Sequence, residues 1–161
     1  MASKLRVDSI LPVDGAPTGG GGGIIQVKSA TITNTFDNDS ETFADVTGVT
    51  VTITPKFSTS KMLIMYNGCA GMESTNRMGH IRIVRVVGGT TTTDIYVGDA
   101  ASNRARASST FAGSQNYFME SFSGTFMDSP ATTSAVTYKM QVAAGDAGDK
   151  VNIGRDDDNS D

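Results

Sequence analysis

The chain carries one histidine, His80, and one cysteine, Cys69. Any Ser-His-Asp or Cys-His nucleophile would have to use His80 as its only imidazole base. That residue lies in the stretch GHIRIVRVV, at a polar parity with Ile81 and Ile83 opposite, the position of a surface or interface histidine. Cys69, inside KMLIMYNGCA, reads as a small buried hydrophobe. One residue of each type cannot assemble a His/Cys metal centre. Two acidic runs, Asp37/Asp39/Glu41 and Asp156/Asp158/Ser160, have the spacing that opens an EF-hand loop. Neither has a glycine at position 6 or a glutamate at position 12, and both read as solvated turns. The glycine run from Gly19 to Gly23 is followed by Ile24 and Ile25. A phosphate-binding loop needs Lys and Ser/Thr at that point, so the run reads as a linker. No pattern singles out a carboxylate pair for glycoside hydrolysis. These residues assign no catalytic group, cofactor or metal ligand, and the expectation is a non-enzymatic protein.

The aromatic residues point to contact chemistry. Phe111, Tyr117, Phe118, Phe122 and Phe126 crowd one third of the chain. Phe118, Phe122 and Phe126 share a strand parity and are expected in the core. Phe111 and Tyr117 flank the turn-like sequence GSQN. With Gln115 and Asn116 they could stack on a sugar ring and hydrogen-bond its hydroxyls; the simpler reading is that both rings cap the core. Arg104 and Arg106 read as part of a solvated loop, or as partners for acidic groups of a neighbouring subunit.

The elements that must position these groups are strands. Period-2 patterning is clearest at residues 43–54, where Val49, Val51 and Ile53 oppose Thr50, Thr52 and Thr54, and at 135–143, where Val136, Tyr138, Met140 and Val142 oppose Thr137, Lys139 and Gln141. Residues 61–70 are almost continuously apolar and predict a central strand buried on both faces. Further strands are expected at 24–33, 79–87, 95–97, 118–126 (kinked at Gly124) and 151–154. The stretch 99–114 reads as a long surface loop or one irregular helix. About eight strands with turns between them, and no helical periodicity of useful length, predict an all-β chain: an antiparallel β-sandwich, jelly-roll-like.

Residues 1–23 differ from this body. A short apolar/polar alternation, Pro12, Pro17 and the glycine run read as an attachment peptide and a hinge, because consecutive glycines resist ordering. The expected division is 1–23, anchor, and 24–161, sandwich. At 161 residues the chain has length for one domain with its own core. Its formal charge of −4 argues against a nucleic-acid partner and against anionic lipid. No run approaches the length of a membrane span, and no apolar core of a secretory signal follows Lys4 and Arg6. The single cysteine excludes an intrachain disulfide framework and suits a reducing cytoplasm.

Four segments together resemble the tail-fibre and head-fibre type of virion protein in bacteriophages of marine bacteria and cyanobacteria: KLRVDSILPVDGAPTGGGGGIIQV (4–27), STSKMLIM (58–65), DSPATTSAVTYKMQ (128–141) and VNIGR (151–155). Residues 72–117 are not covered. The resemblance implies a compact sandwich, often trimeric, carried on an N-terminal peptide that docks into the particle, with Leu5, Val7, Ile10, Leu11 and Val13 as the attachment residues. The implied partners are two further copies, other virion proteins and, in the fibre version, a host surface glycan. The implied location is the virion, assembled in the host cytoplasm. A capsid decoration protein is the alternative; a free lectin or a glycan-degrading enzyme is a more distant one. Such domains often end in a further apolar strand after the loop that DDDNSD resembles. Here either the sheet is shorter, or a partner chain completes it, or the sequence continues.

Overall fold

A computed structural model describes residues 24, 26–92, 95–113 and 118–156. Among them are nine strands and no helix: β1 (Phe36–Asn38), β2 (Ala44–Ile53), β3 (Met62–Met72), β4 (Arg77–Val87), β5 (Thr90–Thr92), β6 (Ser109–Gly113), β7 (Met119–Asp128), β8 (Val136–Ala144) and β9 (Val151–Ile153). One sheet has the order β1-β9-β3-β7. The other runs β2-β8-β4, with β5 and β6 both paired to the far edge of β4. All pairs are antiparallel. Most connections cross between the sheets. With β5 set aside as an outgrowth of β4, this is the double Greek key of a jelly roll.

The two sheets bury alternate residues against each other, as period 2 requires. Along β8, Val136, Tyr138, Met140 and Val142 face inward and are buried. Ile81 and Ile83 of β4, Val151 and Ile153 of β9, Phe122 and Phe126 of β7 and Phe111 of β6 complete the core. Three of the aromatic rings are seated on a glycine directly opposite in the neighbouring strand: Phe111 on Gly79, Phe122 on Gly68 and Tyr66 on Gly124. A side chain at any of these glycines would collide with the ring. Gly124 therefore makes room for Tyr66 within a continuous β7 rather than kinking it.

The expected pattern is corrected at several places. The apolar run 61–70 forms β3, but it is not covered on both faces: its odd residues from Leu63 to Cys69 are exposed. Cys69 is accordingly a surface thiol, 3.8 Å from Ser121 Oγ. The strand covered on both sides is β4, where outward-facing Val84 is as buried as inward-facing Ile81 (both 0% exposed). Residues 95–97 form a bend, the region expected to be loop or helix contains β6, and β5 lies in the threonine run after Gly88 and Gly89. The described residues between 24 and 33 form no ladder. Phe118 precedes β7 and is exposed.

Candidate functional site

Chemistry-bearing side chains converge at four places, and the sheets decide each one. The first lies between the sheets. Asp128, the last residue of β7, points inward and is buried. Arg85 of β4 donates to both its carboxylate oxygens at 2.6 and 2.8 Å. The Tyr138 hydroxyl, from β8, donates to Oδ2 at 2.6 Å. Arg85 and Tyr138 are cross-strand neighbours, so one carboxylate of one sheet clamps two strands of the other. Burial, and then the hydrogen bond to Asp128, push the Tyr138 phenol far above its usual range. The cluster is a closed inter-sheet tie. Its sequence signal was Arg85 itself, a charge at the core parity of Ile81 and Ile83.

The second place is a cleft of about 540 Å³ at one end of the outer face of the β2-β8-β4 sheet. His80 and Met78 form its floor, Glu41 and Phe43 lie before β2, and Asn103 and Arg104 come from the long β5–β6 connection. That connection is anchored to β4 where the Ser108 amide donates to the Ile81 carbonyl at 2.7 Å. The Arg82 guanidinium lies 3.9 Å over the Phe43 ring and donates from Nε to Gln141 at 2.8 Å. Gln141 and Lys139 in turn both donate to Asp45. The outward parity expected for His80 holds, but the connection leaves the residue only 9% exposed. Its Nδ1 is buried with no hydrogen-bond partner among the described residues. Burial pulls the imidazole below its ordinary range, against a smaller upward pull from Asp146. Burial thus favours the neutral ring. A depressed folded-state value stabilises the fold above the unfolded value and loses that stabilisation as pH falls. Melting temperature is expected to drop as pH falls from about 6.5 toward 5; His80→Gln should flatten that part of the profile. An unchanged profile in the variant would show that His80 is not the titrating group.

The third place is the outer face of the β1-β9-β3-β7 sheet. Leu63, Met65, Asn67 and Cys69 of β3 face Met127, Thr125, Ser123 and Ser121 of β7 in register. One end is apolar and open: Leu63, Met65 and Met127 are 56%, 72% and 57% exposed. These three long apolar side chains form one exposed cluster rather than a scatter of single residues.

The fourth place is a seam. The β9 strand is only three residues long and covers only the end of β3, at Ala70–Met72 in the register Ala70↔Ile153 to Met72↔Val151. Beside the remaining half of β3 lies a cleft of about 190 Å³, with Val49 and Val51 of β2 on one wall, Ile64 and Tyr66 on the other, and Ser29 and Ala30 at its rim.

The residues expected to act are distributed unevenly over these places. Leu5, Val7, Ile10, Leu11 and Val13, together with Gln115, Asn116 and Tyr117, lie outside the described residues. Phe111 does not belong to a contact surface. It is 5% exposed, sits on Gly79 and stacks with Phe122 at 6.5 Å between ring centroids. The ring that does stack near the β5–β6 connection is Tyr96, on Phe126 at 4.4 Å. At the first acidic run, Asn38 rather than its acidic neighbours is the buried group. Its amide donates to the Thr42 and Val142 carbonyls at 3.0 and 2.9 Å and ties the β1–β2 corner to β8. Among the described residues no three His, Cys, Asp or Glu side chains converge on one point. The fold and these surfaces define a jelly-roll sandwich with an apolar patch at one end of an outer face and a short β9–β3 ladder. No family profile, curated protein or solved structure matches the chain.

Proposed function

We propose that the chain is a non-enzymatic structural protein of a bacteriophage virion: a trimeric jelly-roll head of a tail fibre or surface appendage, tethered to the particle through residues 1–23. The observation that carries this reading is the apolar outer face of Leu63, Met65 and Met127. A lone domain gains nothing by holding three such side chains in water, whereas a neighbouring subunit removes them from it. Many-copy display suits weak adhesion, because tethered heads gain from effective concentration. The cleft around His80 presents an aromatic ring, a carboxylate, an amide and a guanidinium, groups suited to shallow contact with a host glycan. Capsid decoration is the second reading. It is favoured because the described residues form one compact head, with no helix or fibrous repeat to serve as a shaft.

Light scattering of the purified chain is expected to give three times the 16.8 kDa chain mass. Met127→Lys is expected to shift that mass toward one chain with an unchanged β-sheet spectrum. A wild-type mass of one chain would overturn the trimer. A chain lacking residues 1–23 is expected to be absent from purified particles, and its retention there would overturn the tether.

A further inference from the structure

The antiparallel pairing of β9 with β3 stops early for a visible reason. The Gly154 amide still donates to the Cys69 carbonyl at 3.0 Å. Gly154 then takes φ = +79°, a conformation that costs glycine little. The chain leaves the ladder, and Arg155 and Asp156 cross the outer face over Gly71. Continued pairing would have run along Asn67, Met65 and Leu63. Backbone direction alternates along a strand, so these three residues point their N–H and C=O groups the same way as Cys69, into the vacated lane. No backbone partner reaches them among the described residues. The lane opens inward onto the seam between Ile64, Tyr66, Val49 and Val51. Its volume of about 190 Å³ exceeds the roughly 150 Å³ at which an apolar cavity admits a benzene-sized group.

We propose that this lane receives residues 5–11 of a second copy of the chain, added as a strand to β3. The inference rests on the trimeric reading above and assigns residues 5–11 to a neighbouring head, which leaves residues 1–4 and 12–23 for the tether to the particle. The parities match. With Leu5, Val7, Ser9 and Leu11 directed into the seam, Arg6, Asp8 and Ile10 turn their backbone groups toward β3, three residues for the three that lack partners. Main-chain bonds then supply affinity and alternate side chains supply selectivity. Pro12 has no N–H and ends the ladder. The other undescribed end, DDNSD at 157–161, has no apolar residue to place in the seam. A second copy is favoured over the same chain by two observations. Ile24 and Val27 are 81% and 76% exposed, so neither side chain packs on its own head, although Lys28, Ser29 and Ala30 of the same chain line the cleft. Only a neighbouring head would also cover Leu63, Met65 and Met127, which adjoin the lane. Three such head-to-tail contacts close into a ring.

Mixed full-length chains test this. Asp8→Cys and Met65→Cys, each in a Cys69→Ser background and each with a different mass tag, are combined and oxidised. Opposed residues of an antiparallel hydrogen-bonded pair lie about 5.5 Å apart, within disulfide reach. The mixed disulfide is expected as the main adduct. Pairing Asp8→Cys with Thr52→Cys, on the opposite sheet, is expected to give little. Equal yields from both pairs would overturn the proposal. So would a chain carrying both cysteines that closes only on itself. As a second test, Met65→Pro removes an N–H that the strand's own ladder does not use, and is expected to leave the β-sheet spectrum intact while abolishing association. If the mass stays at three chains and no Asp8–Met65 adduct forms, this inference falls and the trimer stands. If the mass is that of one chain, both fall.

Discussion

Asp128→Ala is expected to lower the stability of the head by about 3–5 kcal/mol, a fall in melting temperature of roughly 10–15 °C for a domain of this size. The Arg85 side chain is only 18% exposed and has both contacts of its Nη1 on this carboxylate. Removing the carboxylate leaves a half-buried guanidinium without its counter-charge and Tyr138 without this acceptor. The loss of the two attractions is a smaller part of the cost than the stranded charge. A triple variant tests that distinction. Arg85→Met, Asp128→Leu and Tyr138→Phe together remove every polar member, and the result is expected to lie within about 1–2 kcal/mol of wild type, because a packed apolar replacement avoids desolvation altogether. A triple variant as unstable as Asp128→Ala would mean that the ion pair itself stabilises the sandwich. The same cluster sets an alkaline limit. The folded state holds the Tyr138 phenol protonated well above its ordinary range, so its contribution is complete below the unfolded value near 10 and is lost as pH rises beyond it. Tyr66, buried and raised in the same direction, adds to that loss. Melting temperature is expected to fall between about pH 9.5 and 11, and less steeply in Tyr138→Phe.

Phe111→Ala is expected to cost about 3–5 kcal/mol, the range for emptying a buried aromatic site. The ring fills the space above Gly79, which has no side chain of its own to occupy it, and it stacks with Phe122 across the sheets. The experiment discriminates sharply, because a surface stacking platform would give a change within about 0.5 kcal/mol. Denaturant titration with an unchanged midpoint would return Phe111 to the surface. Gly79→Val makes the complementary change. It places branched carbons where the ring sits and is expected to cost about 1–3 kcal/mol through overpacking; pairing it with Phe111→Leu should recover part of that loss.

Much of the fold was legible before any coordinates. The alternations in β2 and β8 read directly because each of those strands has one wet face and one dry face. The turn residues between them bounded the other long strands to within a few positions. What could not be read was which side of a strand the rest of the chain would cover. β3 is written in apolar letters on both parities, yet its odd residues are open; β4 carries His80 and Arg82 on its outer parity, yet that side is closed. The covering element is the β5–β6 connection, anchored to β4 through Ser108, and its path depends on contacts remote in sequence. The Arg85–Asp128–Tyr138 tie was hidden for the same reason, since its members come from three strands and two sheets.

Composition and period 2 alone dictated an all-β, two-layered head without a disulfide framework, because residue alternation is a local property that any antiparallel sheet must satisfy. The tertiary structure alone decided that Phe111 is core, that Cys69 is surface, that His80 is enclosed, and that β9 pairs with β3 over three residues only. Those outcomes follow from which distant segments pack together, and burial is a property of that packing rather than of any residue's own type.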